Sequence, residues 1–130
     1  MFYLRNNFIL FYRFANQPKI AFISQEQFLG EIGYVLHKLE QSFNKLKEYE
    51  NRIEIKTDDL NLCVAVKDLG EYNFTTNVKE RRLYLQTPFN LFQYYYDEQA
   101  DQWRNVKDQH NMIENLTRET GKYLKGYLEF

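Results

Sequence analysis

The chain has 130 residues, with 17 Lys and Arg against 18 Asp and Glu, a net charge of −1, 11 Phe, 11 Tyr and one cysteine, Cys63. That length suits one domain with an ordinary core, and so many bulky aromatics argue for a packed body rather than disorder. A lone cysteine excludes an internal disulfide and a thiolate metal cluster, an acidic body disfavours a nucleic-acid partner, and no apolar run reaches the ~18 residues of a membrane span.

Charge divides the chain. Residues 1–24 carry Arg5, Arg13 and Lys19 and no acid, whereas the remainder sets 14 basic residues against all 18 acids. A basic, acid-free head with Phe2, Leu4, Phe8, Ile9, Leu10 and Phe11 suits a mitochondrial-type targeting segment, expected over residues 1–23, the alternative being a natively attached tail or a first strand. The domain proper is then expected over 24–130, in the mitochondrial matrix or a related organelle.

A helix should start at Ser24, whose hydroxyl can cap it. Gln27 stands at the third helical position, and Ile23 and Phe28 can staple across the cap. Phe28, Ile32, Val35, Leu36, Leu39, Phe43 and Leu46 recur at spacings of three and four, an apolar stripe meant for a sheet. Ile53 and Ile55 then alternate with Glu54 and Lys56 as a short strand, and Thr57-Asp58-Asp59 supplies a turn.

From Leu60 to Val106 the pattern is an antiparallel meander. Leu60, Leu62, Val64 and Val66 alternate with smaller or polar residues, as do Leu83 and Leu85 with Arg82, Tyr84 and Gln86, so each run has one core face and one solvent face. Turn residues at 67–70, 77–80, 87–90 and 97–101 separate strands at 60–66, 71–76, 81–86, 91–96 and 102–106. Asn111 can cap a second helix with Glu114 three residues on, its stripe being Ile113, Leu116, Thr120, Tyr123, Leu124 and Tyr127. The expected fold is α+β, two helices on one face of a five- to six-stranded, mostly antiparallel sheet.

Motifs for chemistry are absent from the sequence. There is no Gly-rich phosphate loop, no metal-spaced histidine pair, and no Ser/His/Asp or Cys/His arrangement. Cys63 reads as a small residue on the outer face and His110 as a solvated residue before the second helix.

In order and spacing, Leu69-Gly-Glu-Tyr72, Leu83-Tyr-Leu-Gln-Thr-Pro88, Tyr95 or Tyr96, Trp103, Asn111-Met-Ile-Glu-Asn-Leu116 and the tail Lys122-Tyr-Leu-Lys-Gly-Tyr-Leu-Glu-Phe130 resemble the frataxin family. The resemblance implies a regulator of iron-sulfur cluster assembly that docks its outer sheet face on a cysteine desulfurase and scaffold protein and binds iron weakly on surface acids. Ferroxidase activity is implied by the family alone.

Carried over by position, the partner-binding residues are Thr75, Arg82, Tyr84, Gln86 and Tyr94. Tyr84 replaces the tryptophan of the family's Trp-Leu-Ser-Ser-Pro, Gln86 and Thr87 its serines, and Tyr94 an exposed basic residue. The iron-binding residues the resemblance implies are Glu48, Glu50, Glu54, Asp58 and Asp59, with His37 and Glu40 on the first helix; read without it, those acids form a solvated charged face with local Arg52 and Lys56 pairs. The alternative is a helix-on-sheet interaction module without an iron role, which the sparse helix acids and the altered Trp-Leu-Ser-Ser-Pro stretch favour.

Overall fold

The computed structural model describes residues 23–130. The targeting expectation therefore lies outside the described residues, except at Ile23, which is buried and packs with the core.

Helix α1 spans Gln25–Leu46. The Ser24 hydroxyl accepts from the Gln27 amide at 3.0 Å, satisfying one of the first-turn N–H groups that have no helical partner. All seven expected stripe residues are buried. Strands β1 (Ile53–Thr57), β2 (Asn61–Val66), β3 (Gly70–Asn77), β4 (Arg82–Gln86), β5 (Leu91–Asp97) and β6 (Gln102–Asn105) follow, and helix α2 (Met112–Tyr123) closes the series. Each strand pairs antiparallel with the next, so spatial order equals chain order. Short reversals make this possible, and Asp68, Arg81 and Asp101 accept positive φ values of 68°, 56° and 53° there. Gly70 has φ 132°, and a β-carbon on it would sit 3.1 Å from Pro88.

The helices cover one face. Phe43 lies against Tyr72 and Phe74, with ring centroids 6.3 and 6.4 Å away, and Phe28 meets Trp103 edge-on at 6.0 Å. Leu62, Val64, Leu83, Leu85 and Tyr94 complete the sheet side of the core.

Gly30 and Gly33 are exposed within α1, and a β-carbon at either would touch nothing within 4 Å. Alanine there limits the unfolded chain without a clash. Gly30→Ala and Gly33→Ala should each raise the free energy of unfolding by about 0.5–1 kcal/mol. Denaturant melts check this, and a loss of stability at either site would mean that the helix is distorted there.

Helix α2 departs from expectation. Asn111 caps it, accepting from the Ile113 and Glu114 amides, but the buried residues are Met112, Asn115, Leu116 and Thr120. The expected Tyr123 and Tyr127 are exposed, because the helix ends at Tyr123 and the chain turns at Gly126, φ 83°. Gly126 passes so close to Leu46 and Tyr49 that a β-carbon would meet them at 3.1 and 3.3 Å. The tail then lies along the end of α1: Leu124 and Leu128 are buried, and the Glu129 amide donates to the Ser42 hydroxyl at 3.0 Å.

Candidate partner-binding face and acidic edge

The sheet face turned away from the helices is built by alternation. Strand register sets Asn61 beside Thr75, Thr75 beside Tyr84, and Tyr84 beside Gln93, a row across β2, β3, β4 and β5. A second row runs Cys63, Asn73, Gln86, Leu91. Thr75 and Gln86 are exposed, while Arg82 and Tyr84 are half-buried. The structure thus brings four of the five expected partner-binding residues onto one surface of two adjacent strands.

Tyr84 is held in place. Its hydroxyl donates to Glu80 at 2.7 Å and accepts from the Asn77 side-chain amide at 3.4 Å. The bond to the Glu80 carboxylate raises the phenol pKa, so Tyr84 stays a protonated, neutral aromatic. Arg82 donates to the Gln93 side chain at 3.0 Å, tying β4 to β5 on the same face.

Tyr94 is corrected. It pairs with Leu83, so its side chain points into the core and is fully buried. Its hydroxyl accepts from Asn115 at 3.4 Å, and burial pushes its pKa up to about 12. Gln93 occupies the outer position that Tyr94 was expected to fill.

Tyr95 is on the outer face yet also buried. The segment after β6 folds back over it: the Tyr95 hydroxyl donates to the Gln109 side chain, and Arg104 bonds the Gln109 carbonyl at 3.0 Å and the Asp97 carboxylate at 2.8 Å. This fold-back bounds the open face on the β6 side.

The expected iron ligands separate into two groups. Glu50 is corrected: its side chain is buried, its two oxygens take the Arg52 guanidinium at 2.8 and 2.9 Å, and one also takes the Lys125 amide at 3.2 Å. The Arg52 hydrogen bonds lower its pKa to about 2. With those lone pairs committed, it is a structural clasp.

Asp58 is exposed, but one oxygen receives the Leu60 and Asn61 amides at 2.9 Å each, forming the β1–β2 turn and lowering its pKa. Glu48, Glu54 and Asp59 are exposed without ion partners among the described residues. His37 and Glu40 lie on α1, exposed and half-exposed. Among the described residues, no three His, Cys, Asp or Glu side chains converge to hold a metal ion. A closed iron cage does not fit these residues. Cys63 is half-buried on the outer face, and burial, with Glu71 beside it, raises its pKa and keeps the unreactive thiol.

A family model described as the frataxin-like domain matches residues 21–126, most of the chain. The chain belongs to the frataxin family. Frataxin from Psychromonas ingrahamii superposes with a TM-score of 0.69 at 13% identity, covering 82% of this chain and 97% of its own. Trimeric frataxin from the yeast Saccharomyces cerevisiae, complexed with ferrous iron, gives 0.65 at 16% identity, covering 86% and 96%. The yeast protein with its full-length N-terminus gives 0.63 at 15%, covering 88% and 91%. No curated protein matches the sequence. The frataxin fold is shared, then, at an identity too low to carry individual residues across.

Proposed function

We propose that this frataxin-family chain regulates iron-sulfur cluster assembly by docking its open sheet face on a cysteine desulfurase and its scaffold protein, in the mitochondrial matrix or a related organelle. The observation that carries the reading is Tyr84, a large aromatic fixed on the outer face of a central strand by Glu80 and Asn77, with Thr75, Arg82 and Gln86 around it. A rigid aromatic loses little entropy on contact and can anchor an interface, with polar neighbours forming the rim. In this reading the face binds and positions the partner.

Iron is cargo in this reading. Glu48, Glu54 and Asp59, with Asp58 in its turn, offer oxygen ligands suited to a hard cation but no enclosing geometry, so affinity is about micromolar or poorer and other divalent ions compete. The yeast neighbour's complex with ferrous iron supports the association.

Desulfurase turnover tests both halves. Tyr84→Ala should weaken stimulation about tenfold or more, as loss of an aromatic anchor does, while changing stability by less than about 1 kcal/mol. Glu54→Gln with Asp59→Asn should lower iron retention and leave stimulation intact. The docking assignment is wrong if Tyr84→Ala stimulates like the parent, and the acidic edge has another task if the double variant alone abolishes stimulation.

A further inference from the structure

One edge of the sheet is closed by the chain itself. After β6 the backbone folds back, the Asn105 amide donating to the His110 carbonyl at 2.8 Å and Arg104 bridging to Asn111. At the other edge, β1 has β2 as its only strand neighbour among the described residues.

The phase of that ladder shows which groups remain. The Lys67 amide donates to the Arg52 carbonyl at 3.1 Å, and the Asp58 amide to the Asn61 carbonyl at 3.0 Å. Bonding residues alternate along an antiparallel strand, so Arg52, Glu54, Lys56 and Asp58 face β2, and the backbone groups of Ile53, Ile55 and Thr57 point outward. Glu54 and Lys56 are exposed opposite Ala65 and Cys63, neither charged, and neither forms an ion pair among the described residues. Ile55 is half-buried at the rim of the core.

We propose that β1 pairs with β1 of a second copy of this chain, antiparallel about Ile55, joining the two sheets into one. In that register Ile55 faces Ile55 of the other copy and Ile53 faces Thr57, and these are the residues whose backbone groups point outward. Glu54 then stands opposite Lys56 twice, once on each side of the axis. These are non-hydrogen-bonded positions, where Cα atoms approach to about 4.5 Å and opposite charges attract best. Charged edges usually repel foreign strands. The order Glu-Ile-Lys instead suits its own reverse. With five residues in the strand the contact is small and the dimer weak and reversible.

Sedimentation velocity on the full chain over rising concentration should show a monomer–dimer equilibrium. Glu54→Lys and Lys56→Glu each place like charges across the contact twice, and should weaken self-association about tenfold or more. Mixed in equal amounts, the two variants should associate again, because one strand brings two lysines and the other two glutamates. Circular dichroism confirms that both are folded, and each change lies on a solvent-facing position. The proposal is overturned by a parent that stays monomeric near millimolar concentration or forms a trimer, by reversals that leave the dimer intact, or by a mixture no more associated than its parts. Loss of the dimer on deleting residues 1–22 would assign the contact to the head and overturn it equally.

Discussion

Phe43→Ala should cost the domain about 4 kcal/mol, because truncating a fully buried phenylalanine removes its transfer free energy and leaves a cavity that its neighbours fill only in part. Phe43 is fully buried in the α1 stripe between Tyr72 and Phe74, on the strand that pairs with both β2 and β4. Those rings belong to a rigid sheet and cannot follow a shortened side chain inward. Glu40→Ala, one turn earlier and half-exposed, should change stability by no more than about 0.5 kcal/mol. Urea midpoints of the two variants decide the matter, and equal shifts would mean that α1 does not rest on the sheet through this stripe.

Glu50→Gln should cost about 2 kcal/mol at neutral pH, the scale of a buried carboxylate's charge-assisted hydrogen bonds with a partner, Arg52, that water still screens in part. The loss should vanish in acid. Glu50 has an ordinary pKa of 4.5 and a folded pKa of about 2. A carboxyl held below its unfolded value stabilises the fold wherever it is ionised in both states, so its contribution is complete above about 4.5 and declines as pH falls towards 2. The gap in unfolding free energy between parent and variant should therefore be wide at pH 6 and narrow at pH 2.5. A gap independent of pH would show that the shape of the side chain, rather than its charge, makes the clasp.

Much of this fold was legible because its signals are local. Ser24 with Gln27 marked the start of α1, spacings of three and four named its buried face, and alternation in β2 and β4 assigned both faces of the sheet. Where the local signal is flat, reading failed. Tyr94, Tyr95 and Tyr96 are identical neighbours, so β5 offers no alternation to say which tyrosine faces the core, and register with Leu83 decides it. With no alternation to correct it, the family resemblance carried the outer-face role to Tyr94, one residue past Gln93, which holds that position. Glu50 failed for a different reason. Arg52 stands two residues from both Glu50 and Glu54, so the local sequence does not say which it clasps, and the Lys125 amide that also binds Glu50 lies 75 residues away. The second helix was misread at its end because it stops at Tyr123, whose side chain is exposed, and the turn at Gly126 carries Tyr127 away from the helical stripe.

The clasp and the tail also order events in time. Hairpins of the meander close between residues a few positions apart, whereas Glu50 to Lys125 and Ser42 to Glu129 join groups 75 and 87 residues apart. Large loops carry the greater closure entropy, and their contacts reward the chain only after the near ones have formed. Synthesis sharpens this order, because a growing chain folds from its N-terminal side first. Until residues 124–130 dock, Leu46 and Ser42 lack their cover and Glu50 has only Arg52. Residues 124–130 are thus a latch, and a domain in which they have not yet docked leaves the C-terminal end of α1 uncovered.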